Sequence, residues 1–240
     1  MTIQTVFERT EKKYLITQKQ RKLLLEKIAD DISPDKFGES TVCSLYFDTD
    51  DFRLIRNSID KPLYKEKLRL RSYSTPNSDS NVFLELKKKY RGVVYKRRET
   101  LKYGDVQRYF KTGQKPVSTQ IMKEIEQTMN FYGGLKPKMF IGYDRTAFYG
   151  KKDGNLRITF DKNLKFRTDN LRLENGSFGK PIVDCMYCIM EIKALNSMPL
   201  WLAKALSELK IYPSSFSKYG TAYAIYKEKN HIKIGGKYCA

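Results

Sequence analysis

Histidine and cysteine are scarce in this sequence. His231 is the single histidine, and the four cysteines are Cys43, Cys185, Cys188 and Cys239. Cysteines this few and this scattered do not make the disulfide framework of a small secreted scaffold, so we expect reduced thiols. Cys185 and Cys188 form a C-x-x-C pair. Because no second pair accompanies it and only His231 could add an imidazole, a structural zinc site is disfavoured.

Long apolar runs and low-complexity tracts are also absent. No stretch is long and apolar enough to span a bilayer, and the N-terminal residues MTIQTVFERTEKKY lack the apolar core of a signal peptide. We therefore expect a soluble, cytoplasmic protein. The sequence has no internal repeat and no linker longer than the Ser72 to Asn81 region, so we expect residues 1–240 to form one domain.

Acidic residues are few relative to basic ones. The chain has 46 Lys and Arg against 27 Asp and Glu, a formal net charge of +19. Such a field attracts anions and repels cationic partners. Nucleic acid, an anionic membrane and small phosphates all fit this charge, so the arrangement of the cations has to decide between them.

Short segments with period-two alternation, separated by turn residues, recur along the chain. This pattern predicts about eight or nine antiparallel strands and an α+β fold, namely an eight-stranded antiparallel β-barrel with flanking α-helices. The predicted strands are Val6 to Leu15, Cys43 to Phe47, Tyr64 to Tyr73, Asn81 to Lys89, Val93 to Leu101, Lys138 to Phe148, Leu156 to Lys165, Ile182 to Lys193 and Ile232 to Gly235.

Helical periodicity interrupts the strands at four places. Thr17 and Gln20 form a capping-box pattern ahead of an apolar stripe, which predicts a helix over 19–32. Three more helices are expected at 118–132, 199–209 and 217–226. Their apolar stripes indicate packing rather than function.

The parity of the charged residues suggests which face of each strand they line. Lys67, Arg69 and Arg71 share one face of their strand, and Leu68 and Leu70 share the other. The same alternation places charge on one face at Glu85 and Lys87, at Arg157, Thr159 and Asp161, and at Glu191 and Lys193. An ordinary sheet with one face in water gives the same pattern on any single strand.

Repetition of the pattern favours a basic interior. If the apolar faces pack against the helices, the charged faces must point inward to a lumen closed by the barrel. Isolated buried cations are very unfavourable, so a lumen of this kind must hold water and anions. Phosphate oxygens match Arg guanidinium groups well.

For two strands, the sequence does not decide which charged residues point to the interior. In the first, either Arg9, Glu11 and Lys13 or the alternate set Glu8, Thr10 and Lys12 could line the interior. In the strand from Val93, we prefer Lys96 and Arg98 over Arg97 and Glu99. Arg145 and Lys218 complete the cationic set, although either taken alone could be a surface cation.

Eight short motifs of charged, aromatic and apolar residues stand along the chain. They are Arg9-x-Glu11-x-Lys13-Tyr14, Ser44-Leu45-Tyr46-Phe47-Asp48, Lys67-Leu68-Arg69-Leu70-Arg71-x-Tyr73, Glu85-Leu86-Lys87, Tyr143-x-Arg145-Thr146-Ala147-Phe148, Arg157-Ile158-Thr159-x-Asp161, Glu191-Ile192-Lys193 and Phe216-Ser217-Lys218-Tyr219. These motifs resemble those of the catalytic domain of the VTC polyphosphate polymerases, a family within the triphosphate tunnel metalloenzymes. They follow the order of that family and cover most of the chain.

The resemblance implies an ATP-dependent polyphosphate polymerase that transfers the γ-phosphate of ATP to a growing polyphosphate chain. The implied catalytic cations are Arg69, Arg71, Lys87, Arg145, Arg157 and Lys218. The implied supporting phosphate-binding residues are Arg9, Lys13, Lys67, Lys96, Arg98 and Lys193. Glu191 would hold Mn²⁺ or Mg²⁺, with Glu11 and Glu85 as supporting carboxylates.

Two features of the chain differ from related sequences of the superfamily. Yeast members of the family carry an SPX domain and membrane helices that this sequence lacks, so export of the product would need a membrane-protein partner. The CYTH-type triphosphatases and cyclases begin with Glu-x-Glu-x-Lys, whereas Arg9 stands at the first of these positions. The missing carboxylate weakens a two-metal hydrolytic site and favours the polymerase.

Other functions remain open at this stage. They are a metal-dependent tripolyphosphatase or nucleoside triphosphatase, and a polyphosphate-binding module without catalysis. Specific nucleic-acid binding is disfavoured, because aromatic residues do not interleave with basic ones as a stacking platform. The sequence indicates no particular oligomeric state.

Overall fold

A computed structural model gives the structure and describes residues 9–195 and 197–230, with the backbone alone at Arg9. The predicted strand from Ile232 to Gly235 lies outside the described residues, as do His231 and Cys239. No helix of the described segments is both long and apolar enough to cross a bilayer.

Strands of the described residues form one antiparallel sheet. Their order in the sheet is β1-β9-β7-β6-β2-β3-β4-β5, with the short β8 paired to β7. The eight-strand path confirms the predicted antiparallel fold, although β1 and β5 at its ends do not pair with each other in the described part. The bounds are β1 (Arg9–Thr17), β2 (Ile32–Asp48), β3 (Tyr64–Tyr73), β4 (Asn81–Tyr90), β5 (Val93–Lys102), β6 (Lys136–Gly150), β7 (Arg157–Arg167), β8 (Lys180–Pro181) and β9 (Tyr187–Leu195).

Helices flank this sheet, and four of them match the predicted ones. The predicted capping box is present, since the Gln20 amide donates to the Thr17 hydroxyl and the Thr17 amide donates to Oε1 of Gln20, each at 3.1 Å. The bounds in the described residues are α1 (Gln18–Lys27), α2 (Arg53–Ile59), α3 (Tyr103–Thr112), α4 (Gln120–Phe131), α5 (Leu200–Glu208) and α6 (Lys218–Lys229).

Several element predictions were wrong. Strand β2 begins at Ile32, eleven residues before the predicted start at Cys43. The first helix ends at Lys27, because Ile32 already pairs with Gly150 in the sheet. The strand predicted over 182–193 is interrupted by a turn, in which the Met186 amide donates to the Asp184 carboxylate at 2.8 Å. Helices α2 and α3 were missed, because neither has a side-chain cap at its own N-cap residue.

Helix α2 is capped instead by a buried carboxylate from the preceding strand. Asp48 accepts the amides of Leu54 and Ile55 at 2.8 and 3.0 Å. It also accepts the Tyr219 hydroxyl at 2.8 Å, which ties α6 to the same point. Burial raises the pKa of Asp48, while the Leu54 amide and the Tyr219 hydroxyl oppose that rise.

The outer face of the sheet packs against helices in two apolar cores. In one, Leu68, Leu84 and Leu86 are fully buried against residues of α3 and α4 such as Val106 and Ile125. In the other, residues of β1, β7 and β9 pack against α1 and α5. These cores require the opposite face of the same strands to point inward.

A third core lies on the inward face and was not predicted. Helix α6 packs there, with Tyr219 stacked on Tyr46 at 4.5 Å between ring centroids and Ala222 fully buried. Inward positions are therefore not all charged. The helix fills one side of the concave face and leaves the charged side chains to line the remaining space, which we call the lumen.

Candidate functional site

The predicted facing of the charged residues is confirmed on the strands where the pattern was clear. Leu68 and Leu70 are 0% and 3% exposed in the outer core, whereas Lys67, Arg69 and Arg71 alternate with them toward the lumen. In β4 the outer residues are Val82, Leu84 and Leu86, and the lumen residues are Phe83, Glu85 and Lys87.

The structure also shows which charged residues of β1 and β5 face the lumen. Glu11 pairs directly with Lys193, and Lys13 with Glu191, so the odd-numbered residues of β1 share the lumen face with those of β9. Arg9 pairs with Leu195 by its backbone, and its side chain lies outside the described part. Lys96 and Arg98 point to Glu85, whereas Arg97 bonds to Glu124 of α4 on the outer side.

Glu85 is the centre of the first lumen cluster. Its carboxylate is 1% exposed and accepts Arg69 Nε at 2.6 Å, Arg98 Nε at 2.7 Å and Lys96 Nζ at 2.9 Å. Burial opposes its ionisation, but Arg69, Arg71 and Lys96 outweigh burial and hold the pKa of Glu85 well below its usual range. This supporting carboxylate therefore fixes cations rather than exchanging protons.

Arg71 lies beside this cluster with an incomplete set of partners. It is 7% exposed, its Nε is 3.9 Å from the Glu85 carboxylate, and that Nε has no hydrogen-bond acceptor in the described residues. Ser44, opposite Arg71 in the sheet, has a buried hydroxyl that also lacks a partner there. Buried polar groups normally find a partner, so a ligand with several acceptor atoms fits this position.

Asp161 is the centre of the second cluster, and it was not among the predicted site residues. Its carboxylate is 0% exposed and accepts Arg145 Nε at 2.7 Å, Arg145 Nη2 at 2.9 Å and Lys218 Nζ at 2.5 Å. Burial opposes its charge, but Lys218 and Arg145 lower the pKa of Asp161. Asp161 thereby aligns two of the predicted catalytic cations.

Helix α6 delivers Lys218 to this cluster. Ser217 caps the helix by accepting the Gly220 amide at 3.1 Å, and Lys218 is the first helical residue. The Phe216 carbonyl accepts Lys13 Nζ at 3.3 Å, and Ser217 Oγ accepts Lys67 Nζ at 3.4 Å. The start of α6 therefore lies between a cation of β1 and a cation of β3, strands that are not neighbours in the sheet.

Glu191, the predicted metal ligand, lies in a third cluster. It is 9% exposed and bonds Lys193 Nζ at 2.9 Å, and the same ammonium is 3.7 Å from Glu11. Burial would raise the pKa of Glu191, but Lys193, Lys218 and Lys13 lower it. No group of three or more potential metal-ligating His, Cys, Asp or Glu residues occurs in residues 9–195 and 197–230.

Lys67 and Lys87 have no carboxylate within salt-bridge distance in the described residues. Burial lowers the pKa of Lys67 to about 8, and the nearby charges of Lys87 and Lys13 contribute to that shift. Desolvation also lowers the pKa of Lys87, against the opposing charge of Glu11 across the lumen. Within the described residues, the lumen therefore contains ammonium groups that contact no carboxylate.

Arg157 lies further along the lumen, beside a second carboxylate that sequence reasoning missed. Its Nη2 donates to Asp35 at 3.1 Å, and its Nε has no partner in the described residues. Asp35 belongs to β2 and also accepts the Tyr149 hydroxyl at 3.3 Å. Thr159, on the same face of β7, has a buried hydroxyl that finds no hydrogen-bond partner in the part of the chain that the structure describes.

Two tyrosines complete the lumen wall. The Tyr46 hydroxyl accepts Arg69 Nη1 at 3.2 Å, and the ring of Tyr143 lies 4.6 Å from Lys218 Nζ. Burial would raise the pKa of Tyr46, but Arg69, Arg71 and Lys67 lower it to about 8. Both tyrosines and Asp161 stand inside the sequence motifs, so parity within those motifs was the signal that could have identified them.

Comparisons with known proteins agree with this geometry. The family model of the VTC domain matches residues 8–227. Vacuolar transporter chaperone complex subunit 4 of Schizosaccharomyces pombe is 26% identical over a region that covers 52% of this chain and 20% of that protein. This chain thus spans about a fifth of the length of that relative.

Two solved structures share the fold. A candidate adenylate cyclase from Bacillus halodurans superimposes with a TM-score of 0.55 at 14% identity, covering 86% of this chain and 92% of that one. A candidate adenylyl cyclase from Hippeastrum, described as having a dominant triphosphatase activity, gives a TM-score of 0.57 at 16% identity, covering 92% and 96%. Likeness at this identity establishes the triphosphate tunnel fold, and the family match establishes that the chain belongs to the VTC domain family.

Proposed function

We propose that this protein is an ATP-dependent polyphosphate polymerase, which transfers the γ-phosphate of ATP to the end of a polyphosphate chain inside the lumen. The proposal depends on the excess of lumen cations and on buried donors such as Arg71 Nε and Arg157 Nε, for which residues 9–195 and 197–230 provide no acceptor. A linear chain of phosphates supplies both the missing charge and the missing acceptor atoms.

The phosphate groups would lie between the three clusters. Arg69 and Arg71 come from β3, Lys87 from β4, Arg145 from β6 and Lys218 from α6, so the cations surround the ligand from several sides. In phosphoryl transfer, the protein contributes mainly by aligning the reacting groups and by neutralising charge on the transferred phosphoryl group. Carboxylates that fix the cations in advance serve this purpose, because little reorganisation remains for the reaction step.

A divalent cation fits the third cluster only together with the substrate. Mg²⁺ is commonly held by one or two carboxylates plus phosphate oxygens, and Glu191 and Glu11 share Lys193 as a neighbour. Mn²⁺ or Mg²⁺ bound there would neutralise phosphate charge. Glu191 would provide its principal protein ligand and Glu11 a supporting one.

The state of the carboxylates favours polymerisation over hydrolysis. Glu85, Asp161 and Glu191 all bond cations, and their pKa values are lowered. Such groups are poor general bases near neutral pH. A terminal phosphate of the acceptor chain is already ionised and needs no base, whereas an attacking water gains from one.

The test is an incubation of the purified protein with ATP and Mn²⁺, in which ADP, free phosphate and polymer are measured together. We expect ADP, a ladder of polyphosphate and little free phosphate. Equal amounts of ADP and phosphate without polymer would identify a tripolyphosphatase or nucleoside triphosphatase. Binding of polyphosphate without turnover would identify a non-enzymatic binding module.

We also propose that residues 1–240 form a single tunnel domain. All the strands of the described residues join one sheet, which supports this organisation. A cytoplasmic location and a membrane-protein partner that receives the product belong to the same proposal. Limited proteolysis that released a stable half of the chain would contradict the single domain.

A further inference from the structure

An exposed apolar and aromatic surface lies at the tip of the β4–β5 hairpin. Tyr64, Tyr90 and Val93 are directly paired across β3, β4 and β5, so their side chains form one row on the outer face of the sheet. We call the following residues, 44% to 71% exposed, the hairpin patch: Leu63, Tyr64, Tyr90, Val93 and Tyr95.

The chain holds this patch in a defined shape. Arg91 and Gly92 form a two-residue turn with φ of 45° and 88°, the turn geometry that matches the twist of paired strands. The Arg91 amide donates to the Leu63 carbonyl at 2.9 Å, which fixes the loop before β3 to the hairpin tip. Two chain reversals therefore present their side chains side by side.

The helical layer of the fold ends before it reaches this surface. Arg97 of β5 still contacts Glu124 of α4 at 3.1 Å, and the outer residues Leu84 and Leu86 are fully buried. Beyond Arg97 the outer row changes to exposed side chains, and Phe131 at the end of α4 is 73% exposed. Contiguous exposed apolar surface is typical of an interaction site, whereas single exposed apolar residues are ordinary.

Basic residues border the hairpin patch. Lys88 pairs directly with Tyr95 in the sheet, and Lys61 and Arg91 lie within two residues of Leu63 and Tyr90 in the sequence. Asp60 is an exposed carboxylate in the same loop, whereas Glu66, which accepts the Tyr64 hydroxyl at 2.9 Å, is only 6% exposed. The Arg91 guanidinium lies 5.3 Å from the centre of the Tyr90 ring. Cations beside tyrosine rings and aliphatic side chains match the boundary between anionic lipid headgroups and acyl chains.

We propose that the hairpin patch docks on an anionic lipid bilayer. Leu63, Val93 and the tyrosine rings would enter the headgroup region, while the bordering cations contact lipid phosphates and carboxylates. A nucleic-acid strand could stack on the tyrosines but would leave Leu63 and Val93 uncovered. A bilayer covers all of these groups together.

Docking in this way would orient the lumen. Lys65 and Lys89 are paired on the inward face at the same end of the sheet. One mouth of the lumen would therefore open at the lipid surface. The proposal stands on the outer face alone and does not depend on the reaction in the lumen.

The test is sedimentation of the full chain with two kinds of vesicle, phosphatidylcholine alone and phosphatidylcholine with phosphatidylserine. Saturating tripolyphosphate is present throughout to occupy the lumen cations. We expect binding to the phosphatidylserine vesicles only. Lys61→Ser with Arg91→Ser should weaken it about fivefold for each removed charge. Leu63→Ser with Val93→Ser should weaken it about tenfold or more.

Matched controls are Lys22→Ser and Leu200→Ser, whose side chains are exposed on α1 and α5, away from the hairpin. Both should bind vesicles as the unmodified chain does. All variants should keep the same stabilisation by tripolyphosphate, which excludes misfolding. Absence of vesicle binding, equal binding by the hairpin variants, or uptake of a single-stranded RNA in place of vesicles would each overturn the proposal.

Discussion

Asp161 is 0% exposed and holds the Arg145 guanidinium and the Lys218 ammonium at 2.5 to 2.9 Å. The substitution Asp161→Asn keeps the size of the side chain but removes its charge. Two cations whose side chains are only 17% and 13% exposed then lose their buried counter-ion. Breaking a buried pair in this way costs about 3–5 kcal/mol. For a chain of this size, the melting temperature should fall by about 6–20 °C.

Tripolyphosphate should reverse much of this loss. If Arg145 and Lys218 contact phosphate as proposed, the ligand supplies the charge that Asp161 no longer provides. A ligand that binds only the folded state stabilises that state by an amount that grows with the logarithm of the ligand concentration divided by Kd. Removal of the Asp161 charge should tighten phosphate binding, so the rise in melting temperature should be larger in Asp161→Asn than in the unmodified protein.

The assay is thermal unfolding of both proteins over a series of tripolyphosphate concentrations. The control is Asp50→Asn, a fully exposed carboxylate that contacts Lys136 and Lys138 at 3.3 Å, and it should leave the melting temperature unchanged. A melting temperature of Asp161→Asn equal to that of the unmodified protein would refute the buried ion cluster. A low melting temperature with no extra gain from tripolyphosphate would refute phosphate contact by Arg145 and Lys218.

Three further predictions concern the lumen. Affinity for tripolyphosphate should fall as the pH rises through about 8, because Lys67 loses its proton and Tyr46 gains a negative charge near that value. Calorimetry of the double variant Lys67→Arg with Tyr46→Phe should show a weaker dependence of this affinity on pH. Glu191→Gln should remove the dependence of turnover on Mn²⁺ while circular dichroism stays unchanged, and an unfolded variant would make Glu191 structural. Arg69→Ala should lower kcat/KM by about 30- to 900-fold, since one preorganised charge donor contributes about 2–4 kcal/mol to the transition state. Arg108→Ala, on the exposed side of α3, should leave kcat/KM unchanged, and equal effects of the two arginines would argue against a catalytic role for Arg69.

Local pattern was sufficient to place most strands of this protein and to predict the facing of most lumen cations, although it did not give the start of β2 or of β9. Side chains two apart in a strand must point the same way, so the alternation of Leu68 and Leu70 with Lys67, Arg69 and Arg71 predicted both an outer core and a charged inner face. The strand Tyr64–Tyr73 was predicted with the bounds that the structure gives. The capping box of α1 joins Thr17 and Gln20, which are close in the sequence, so the sequence predicted it as well.

Tertiary structure decided what depends on residues far apart in the chain. Helix α2 is capped by Asp48 rather than by its own N-cap residue, so the sequence at its start contains no capping pattern that would predict it. Asp161 lies at the centre of a lumen cluster only because β6 and the start of α6 bring Arg145 and Lys218 to the same carboxylate. An ion pair in the lumen forms between residues that are distant in the sequence. The spacing of those residues along the chain does not predict which of them will be in contact. The sequence by itself therefore determined most of the strand pattern and the basic inner face. The tertiary structure alone determined which carboxylate contacts which cation, and which cations of residues 9–195 and 197–230 contact no carboxylate.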